Sequence, residues 1–168
     1  MLRRIDELGR IVIPKEIRKK LKIREGDNLD IFVNENGVIL KKYSPLNDLE
    51  KILEILIDGF KKHLDINFII TDKENVICST ILGINSLEHI SKNLSDAIIL
   101  NKEIDVNKSS RMNITDNYQI TENILIKPIV IYGDLFGSVI VFYDYNINSN
   151  IIDYLNIIHH FCVEYLQT

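Results

Sequence analysis

Six basic side chains near the start of the chain have types and spacing that fit one chemistry: Arg3, Arg4, Arg10, Arg18, Lys19 and Lys20. Guanidinium and ammonium groups bind phosphate oxygens, and the planar guanidinium fork also grips guanine with two bonds. Residues 1 to 24 hold nine basic and three acidic side chains, a local net of +6. Such a cluster is the electrostatic footprint of nucleic-acid binding; its bland alternative is a solvated basic face. The 168-residue chain as a whole has a net charge of -4, a balance that by itself argues against a nucleic-acid partner. Division by segment resolves the conflict. Residues 1–45 carry 11 Lys and Arg against 7 Asp and Glu, and residues 46–168 carry 9 against 17.

Other constellations offer less. His159 and Cys162 lie three apart, on one face of a helix, but a structural zinc site takes four ligands and no companion pair exists. Packing is the better reading for them. Cys78 has no basic neighbour to favour its thiolate and reads as a small buried hydrophobe. With only these two cysteines, reduced thiols in a cytoplasm are the simpler reading than a disulfide. His63 and His89 read as helix-surface residues. Asp72 and Glu74 sit in a turn, where acids are common, and form no catalytic acid pair. There is no phosphate-binding glycine loop and no nucleophile elbow. The residues therefore point to no enzyme, no metal and no cofactor. No apolar stretch approaches bilayer-spanning length, and Met1-Leu2-Arg3-Arg4 lacks a signal-peptide core. No membrane partner is expected.

The elements that must carry the basic residues are short. Leu2–Asp6 and Ile11–Ile13 read as strands around the turn Glu7-Leu8-Gly9-Arg10, where Gly9 supplies a backbone conformation other residues avoid. Pro14 fits the first turn of a helix at Lys15–Leu21. A second turn is expected at Glu25-Gly26-Asp27-Asn28. Strands Leu29–Val33 and Val38–Leu40 flank Asn34-Glu35-Asn36-Gly37, with Asn36-Gly37 as the hairpin signal. A unit this small buries too little surface to stand alone and needs a partner chain. A symmetric dimer would set two basic clusters side by side, the geometry of a two-fold DNA reader.

Ser44-Pro45 marks the boundary to a second, α+β domain spanning 46–168. It opens with an amphipathic helix over Leu46–Leu64, with Leu49, Ile52, Leu53, Leu56, Phe60 and Leu64 on one face. Strands Ile66–Thr71 and Val76–Ser79 follow, then a helix over 86–95 with Leu87, Ile90 and Leu94 inward. Residues 100–118 are polar and irregular. Strands Ile124–Ile131 and Phe136–Tyr143 flank Tyr132-Gly133-Asp134, and a helix over Ile151–Leu166 ends the chain. The broad apolar arcs of the first and last helices predict a helical bundle between chains.

The run Arg3-Arg4-Ile5-Asp6-Glu7-Leu8-Gly9-Arg10-Ile11-Val12-Ile13-Pro14-Lys15-Glu16-Ile17-Arg18 closely resembles the N-terminal domain of the AbrB/SpoVT family of transition-state regulators. The match continues through Leu21-Lys22-Ile23-Arg24-Glu25-Gly26-Asp27 and Ile39-Leu40-Lys41-Lys42-Tyr43-Ser44-Pro45. Beyond it, Lys127-Pro128-Ile129-Val130, Gly133-Asp134 and Gly137-Ser138-Val139-Ile140 resemble members in which a GAF-like domain follows. The resemblance implies an N-terminal swapped-hairpin β-barrel, formed by two chains over residues 1–45, and a GAF-like α/β sandwich over 46–168. It implies a sequence-selective DNA-binding regulator of sporulation-type gene expression in a spore-forming bacterium. Such a protein would be a homodimer or homotetramer, cytoplasmic and associated with the nucleoid. Arg3, Arg10, Arg18 and Lys19 stand where the family's DNA-contacting arginines stand, Lys19 being a lysine where relatives often have arginine. Arg4 and Lys20 are further DNA-binding candidates. Relatives carry a Lys and a Thr-Gly before the first strand, so an upstream extension of the natural product is expected.

No long recognition helix is evident, so the expected mechanism is electrostatic docking with shape reading of AT-rich double-stranded DNA. For the GAF-like domain two roles stand open: holding an unidentified small molecule, or dimerising only. No residue is assigned to a ligand. Two rivals remain. An antitoxin with a toxin partner shares the N-terminal fold but normally has a disordered C-terminal wrap. A thiol-based enzyme on the GAF scaffold would need a second cysteine near Cys78.

Overall fold

The computed structural model describes residues 2–21, 23–25, 27–144 and 149–168. Two compact units divide the chain, Met1–Tyr43 and Ser44–Thr168.

The first unit holds a six-residue helix α1 (Lys15–Lys20) and one hairpin, β1 (Leu29–Asn34) with β2 (Gly37–Lys42). Pro14 is the N-cap of α1, with φ −59 and ψ 149, one position earlier than the sequence suggests. The hairpin turn is Glu35-Asn36, closed by Asn34 pairing with Gly37. The Asn34 Oδ1 accepts from the Asn36 N–H at 2.9 Å, and the positive φ falls on Gly37 alone. Asn-Gly thus straddles the turn's end and does not fill its centre. The expected strands Leu2–Asp6 and Ile11–Ile13 do not form as ladders. The nearest backbone bond, Asp6 N–H to the Arg10 carbonyl at 3.0 Å, closes the turn itself. The reason is the want of a partner: Leu2, Ile5, Ile11 and Val12 are all exposed, and among the described residues of this unit none covers them. Lys22 and Gly26, which belong to the expected helix-to-strand turn, lie outside the described residues.

The second unit is built around a five-stranded antiparallel sheet of order β4-β3-β9-β8-β5. Its strands are β3 (Phe68–Asp72), β4 (Val76–Ser79), β5 (Ile104–Val106), β8 (Asn123–Ile131) and β9 (Asp134–Tyr143); β6 (Asn113–Thr115) and β7 (Tyr118–Gln119) make a small separate hairpin. The long β8–β9 hairpin turns at Tyr132-Gly133, both at positive φ (51 and 89), as a two-residue turn matched to strand twist requires. Alternation along the strands divides the core in two. Phe68, Ile70, Val139 and Val141 face helices α2 (Glu50–Leu64) and α4 (Ser149–Gln167), burying Leu53, Ile57, Leu155 and Ile158 with them. Ile69, Ile126, Ile140 and Phe142 face the other way, onto Leu94 and Ile98 of α3 (Lys92–Ile98) and onto Ile114.

Two helices depart from expectation. Pro45–Leu49 is a 3-10 turn, and α2 proper begins at Glu50. Its buried stripe runs Leu49, Leu53, Ile57, while Ile52 is half exposed. The expected helix over 86–95 is replaced by α3 at Lys92–Ile98. Ser91 caps it, its hydroxyl accepting from the Leu94 N–H at 3.1 Å. The preceding residues are taken up by the sheet edge: Leu87 N–H donates to the Val76 carbonyl and Val76 N–H to the Glu88 carbonyl, with Leu87 at φ 66.

Gly137 is a residue the packing requires. A Cβ there would stand 1.9 Å from the Thr71 carbonyl oxygen and 2.9 Å from Leu46 Cδ1. The neighbouring Thr71 and Ser138 hydroxyls pair at 2.8 Å with no exposure to solvent, so two buried polar groups satisfy each other.

Candidate nucleic-acid interface

The first unit has almost no interior. Among its described residues only Pro14 is buried. Arg3, Arg4, Arg10, Arg18, Lys19 and Lys20 are all exposed, and so are Lys15, Arg24 and Lys41, further cations outside the expected set. Arg18, Lys19 and Lys20 share the last turn of α1, where carbonyl ends favour positive charge. Pro14 fixes where that turn begins, and the Arg18 N–H closes onto the Pro14 carbonyl at 2.9 Å. The turn is sealed on the far side by Ile23 N–H donating to the Arg18 carbonyl at 2.8 Å.

Arg10 lies in a loop of different design. Its main-chain N–H and its Nε–H both reach the Asp6 carboxylate, at 2.8 Å each, and the Leu8 N–H joins them at 3.0 Å. Gly9, at φ 76, donates its N–H to the Asp6 carbonyl. These bonds, led by the Arg10 amide, hold the Asp6 carboxyl below the usual carboxylate range. A second acid does similar work further on. Asp27 accepts the Arg24 N–H at 2.7 Å and pairs with Lys42 Nζ at 3.3 Å, which ties the loop before β1 to the end of β2. The unit thus presents exposed cations on loops whose backbones are pinned by two carboxylates.

The same unit exposes apolar side chains in number. Val12, Ile31, Val33 and Val38 are each two-thirds exposed or more. A hairpin and one short helix cannot bury them, since an isolated two-stranded ribbon is marginal in water.

The other candidates of the second unit are structural in this setting. His159 is half-buried on α4, its Nε2 3.0 Å from the Pro128 carbonyl, and burial lowers its pKa. Lys127 bonds the side chain of Asn156 and pairs with Glu103 at 3.7 Å. Cys162 is buried in the α2–α4 core, its thiol pushed up to about 12 by burial, and Cys78 is buried in the same cluster and raised further by the same cause. Their shared cluster is not visible from their separation of 84 positions. Thiols held so far from ionisation are poor nucleophiles. Among the described residues no group of three or more His, Cys, Asp or Glu is gathered as metal ligands. His63 and His89 are exposed, His63 on α2 and His89 in the loop before α3. Residues 100–118, expected to be irregular, supply β5, β6 and a 3-10 turn, and their apolar side chains Met112 and Ile114 are buried. Among the described residues no helix is long and apolar enough to cross a membrane.

Comparison with known proteins adds the lineage. The chain is 37% identical over 150 residues to stage V sporulation protein T of Bacillus subtilis, covering 84% of this chain and 82% of that protein. The chain belongs to the SpoVT/AbrB family. The family's N-terminal part is shared more widely: the transition state regulatory protein AbrB of the same organism is 44% identical over 61 residues, 36% of this chain and 64% of that protein. Residues 2–48 also match the model of the family described as antidote-toxin recognition MazE, bacterial antitoxin. In SpoVT/AbrB terms the remainder is the GAF-like part. The GAF domain of a two-component sensor histidine kinase from Bacillus halodurans aligns with a TM-score of 0.53 at 16% identity, covering 71% of this chain and 93% of that one. At that identity the likeness establishes the fold. The architecture is therefore α+β, an AbrB/MazE-type domain followed by a GAF-like domain.

Proposed function

We propose that this chain is a DNA-binding transcription regulator that reads double-stranded, AT-rich DNA through its first unit, as a homodimer. The observation that carries the reading is a unit with a net excess of exposed cations, a row of exposed apolar side chains and no interior of its own. A second copy removes the apolar faces from water by exchanging hairpins into a shared barrel. The same step brings two sets of Arg3, Arg10, Arg18 and Lys19 together, flanked by Arg4 and Lys20. Family membership supports the reading, since the curated relatives carry regulator names. The basic groups sit on loops and a one-and-a-half-turn helix. Contact is then chiefly with phosphates, with sequence selected through groove shape and deformability.

For the second unit we infer assembly into a dimer or tetramer. Ile52 and Ile55 of α2 and Ile157 and Phe161 of α4 are exposed apolar residues on helices whose other sides are in the core. The opposite sheet face is filled by Ile69, Ile126, Ile140 and Phe142 against α3. A folded second unit disfavours the antitoxin reading that the MazE-type match brings in. The buried thiols disfavour a thiol enzyme.

The test is binding of the full chain to AT-rich and GC-rich duplexes of equal length by fluorescence anisotropy. The proposal predicts tighter binding to the AT-rich duplex and a loss of about tenfold or more for Arg10→Ala at unchanged oligomeric mass. Equal, weak binding to both duplexes that no basic-residue change affects would overturn it.

A further inference from the structure

We propose that Asp6 is the positioning residue for Arg10 at the DNA surface, an inference that rests on the DNA-binding reading above. Asp6 uses its carboxylate in two ways. Oδ1 accepts the Leu8 and Arg10 main-chain N–H groups at 3.0 and 2.8 Å, which shapes the loop. Oδ2 accepts the Arg10 Nε–H at 2.8 Å, which sets the side chain. Two further main-chain bonds brace the loop, from Asp6 N–H to the Arg10 carbonyl and from Gly9 N–H to the Asp6 carbonyl, both 3.0 Å.

The choice of nitrogen matters. A guanidinium offers five donors, and the two terminal nitrogens form the fork that matches a phosphate or the edge of guanine. Asp6 takes the inner Nε–H only. Among the described residues neither terminal nitrogen of Arg10 has a partner, and the side chain is 72% exposed. The carboxylate therefore orders the stem of Arg10 and leaves the fork outward. An arginine already held in place loses less side-chain entropy when it docks. The loop also stays charged in the right sense, because the bonds that hold Asp6 keep it ionised. This hold is complete at neutral pH and is lost only as pH falls through the lowered range of Asp6.

Positioning and simple electrostatics predict opposite signs. Removing a negative charge beside a DNA-binding arginine should tighten binding if only field strength counts. If Asp6 positions Arg10, Asp6→Asn binds more weakly despite the gain in positive charge. The experiment is duplex binding by the full chain at fixed salt for the wild type, Asp6→Asn, Arg10→Ala and the double variant. We expect Asp6→Asn to lose about three- to fivefold, the scale of an exposed ion pair. Arg10→Ala should lose about tenfold or more. In the Arg10→Ala background Asp6→Asn should cause no further loss. Wild-type or tighter binding by Asp6→Asn overturns the proposal, and so does an equal loss in both backgrounds. Wild-type affinity in Arg10→Ala overturns it too, with DNA binding itself left standing. No binding by the wild type overturns the DNA-binding reading and this proposal together. A measurement on the unaltered chain guards against misfolding of the variant. The Arg10 Nε–H should give a protected NMR resonance that broadens only as acid titrates Asp6; an Arg10 signal exchanging as freely as that of Arg3 overturns the assignment.

Discussion

Residues 2–43 bury one described side chain, Pro14, while residues 44–168 bury two apolar clusters on the two faces of a five-stranded sheet. The two units have comparable appetite for burial, since both are rich in Ile, Val and Leu. They differ in whether one chain can satisfy it. The second unit closes on itself because alternation along β3, β8 and β9 sends side chains to both faces, and helices cover each face. The first unit has a hairpin, a short helix and two extended segments that none of its described residues covers. The charge follows the same division, a basic excess in residues 1–45 and an acidic excess in the rest. On the proposed function, the unit that would meet DNA is also the unit whose apolar faces call for a second copy, which would couple assembly to function.

The sharpest way to break this contrast is to remove what the second unit has and the first lacks. Phe68 is fully buried, its ring 5.3 Å from that of Phe60. Phe68→Ala should lower stability in urea by about 3–5 kcal/mol. A loss under about 1 kcal/mol would mean the core is not as described.

The converse experiment targets the first unit. Val12 is 77% exposed in the single chain, where a charge should change stability by less than about 0.5 kcal/mol. If a second copy covers it, Val12→Asp should shift the protein to a smaller species in analytical ultracentrifugation and abolish DNA binding. An unchanged mass would contradict the shared-barrel account.

Replacing Arg18 and Lys19 together with Ala should weaken DNA binding about tenfold and flatten its salt dependence, while leaving the melting temperature within a degree or two. A large fall in melting temperature would make these residues structural.

The smallest effect concerns Asp72, buried at the β3–β4 turn, where it accepts the Glu74 and Asn75 N–H groups at 2.7 and 2.6 Å. Burial is the largest influence on it and raises its pKa. A raised carboxyl favours folding below its unfolded range, and that favour is lost as pH rises through the folded range. Asp72→Asn keeps the acceptor and removes the charge. It should therefore be neutral or stabilising by under about 1 kcal/mol at neutral pH, with the difference vanishing in acid. Destabilisation at neutral pH would show that the ionised form is the one the turn needs.

Much of this was legible in the sequence where local signals and tertiary use agree. The β8–β9 hairpin is announced by apolar runs on either side of Tyr132-Gly133, and the last helix by its periodicity. The helix expected over 86–95 failed because Leu87 and Glu88 are claimed by hydrogen bonds to Val76, a tertiary use that periodicity cannot show. The strands expected at 2–6 and 11–13 are not ladders, because a ladder needs a neighbour and the described residues of the first unit supply none. At the candidate site, the exposed cations are readable from charge alone. Asp6 is not, because an acid four residues before an arginine is unremarkable until Gly9 turns the chain and brings the two together.

The central claim is that the first unit meets DNA through charge held on an acidic protein. It is tested most directly by the salt dependence of binding of the unaltered chain to an AT-rich duplex. The account predicts a steep linear fall of log affinity with log salt, with a slope of several units reflecting several phosphates neutralised per dimer. Affinity that stays flat between low and physiological salt would contradict it.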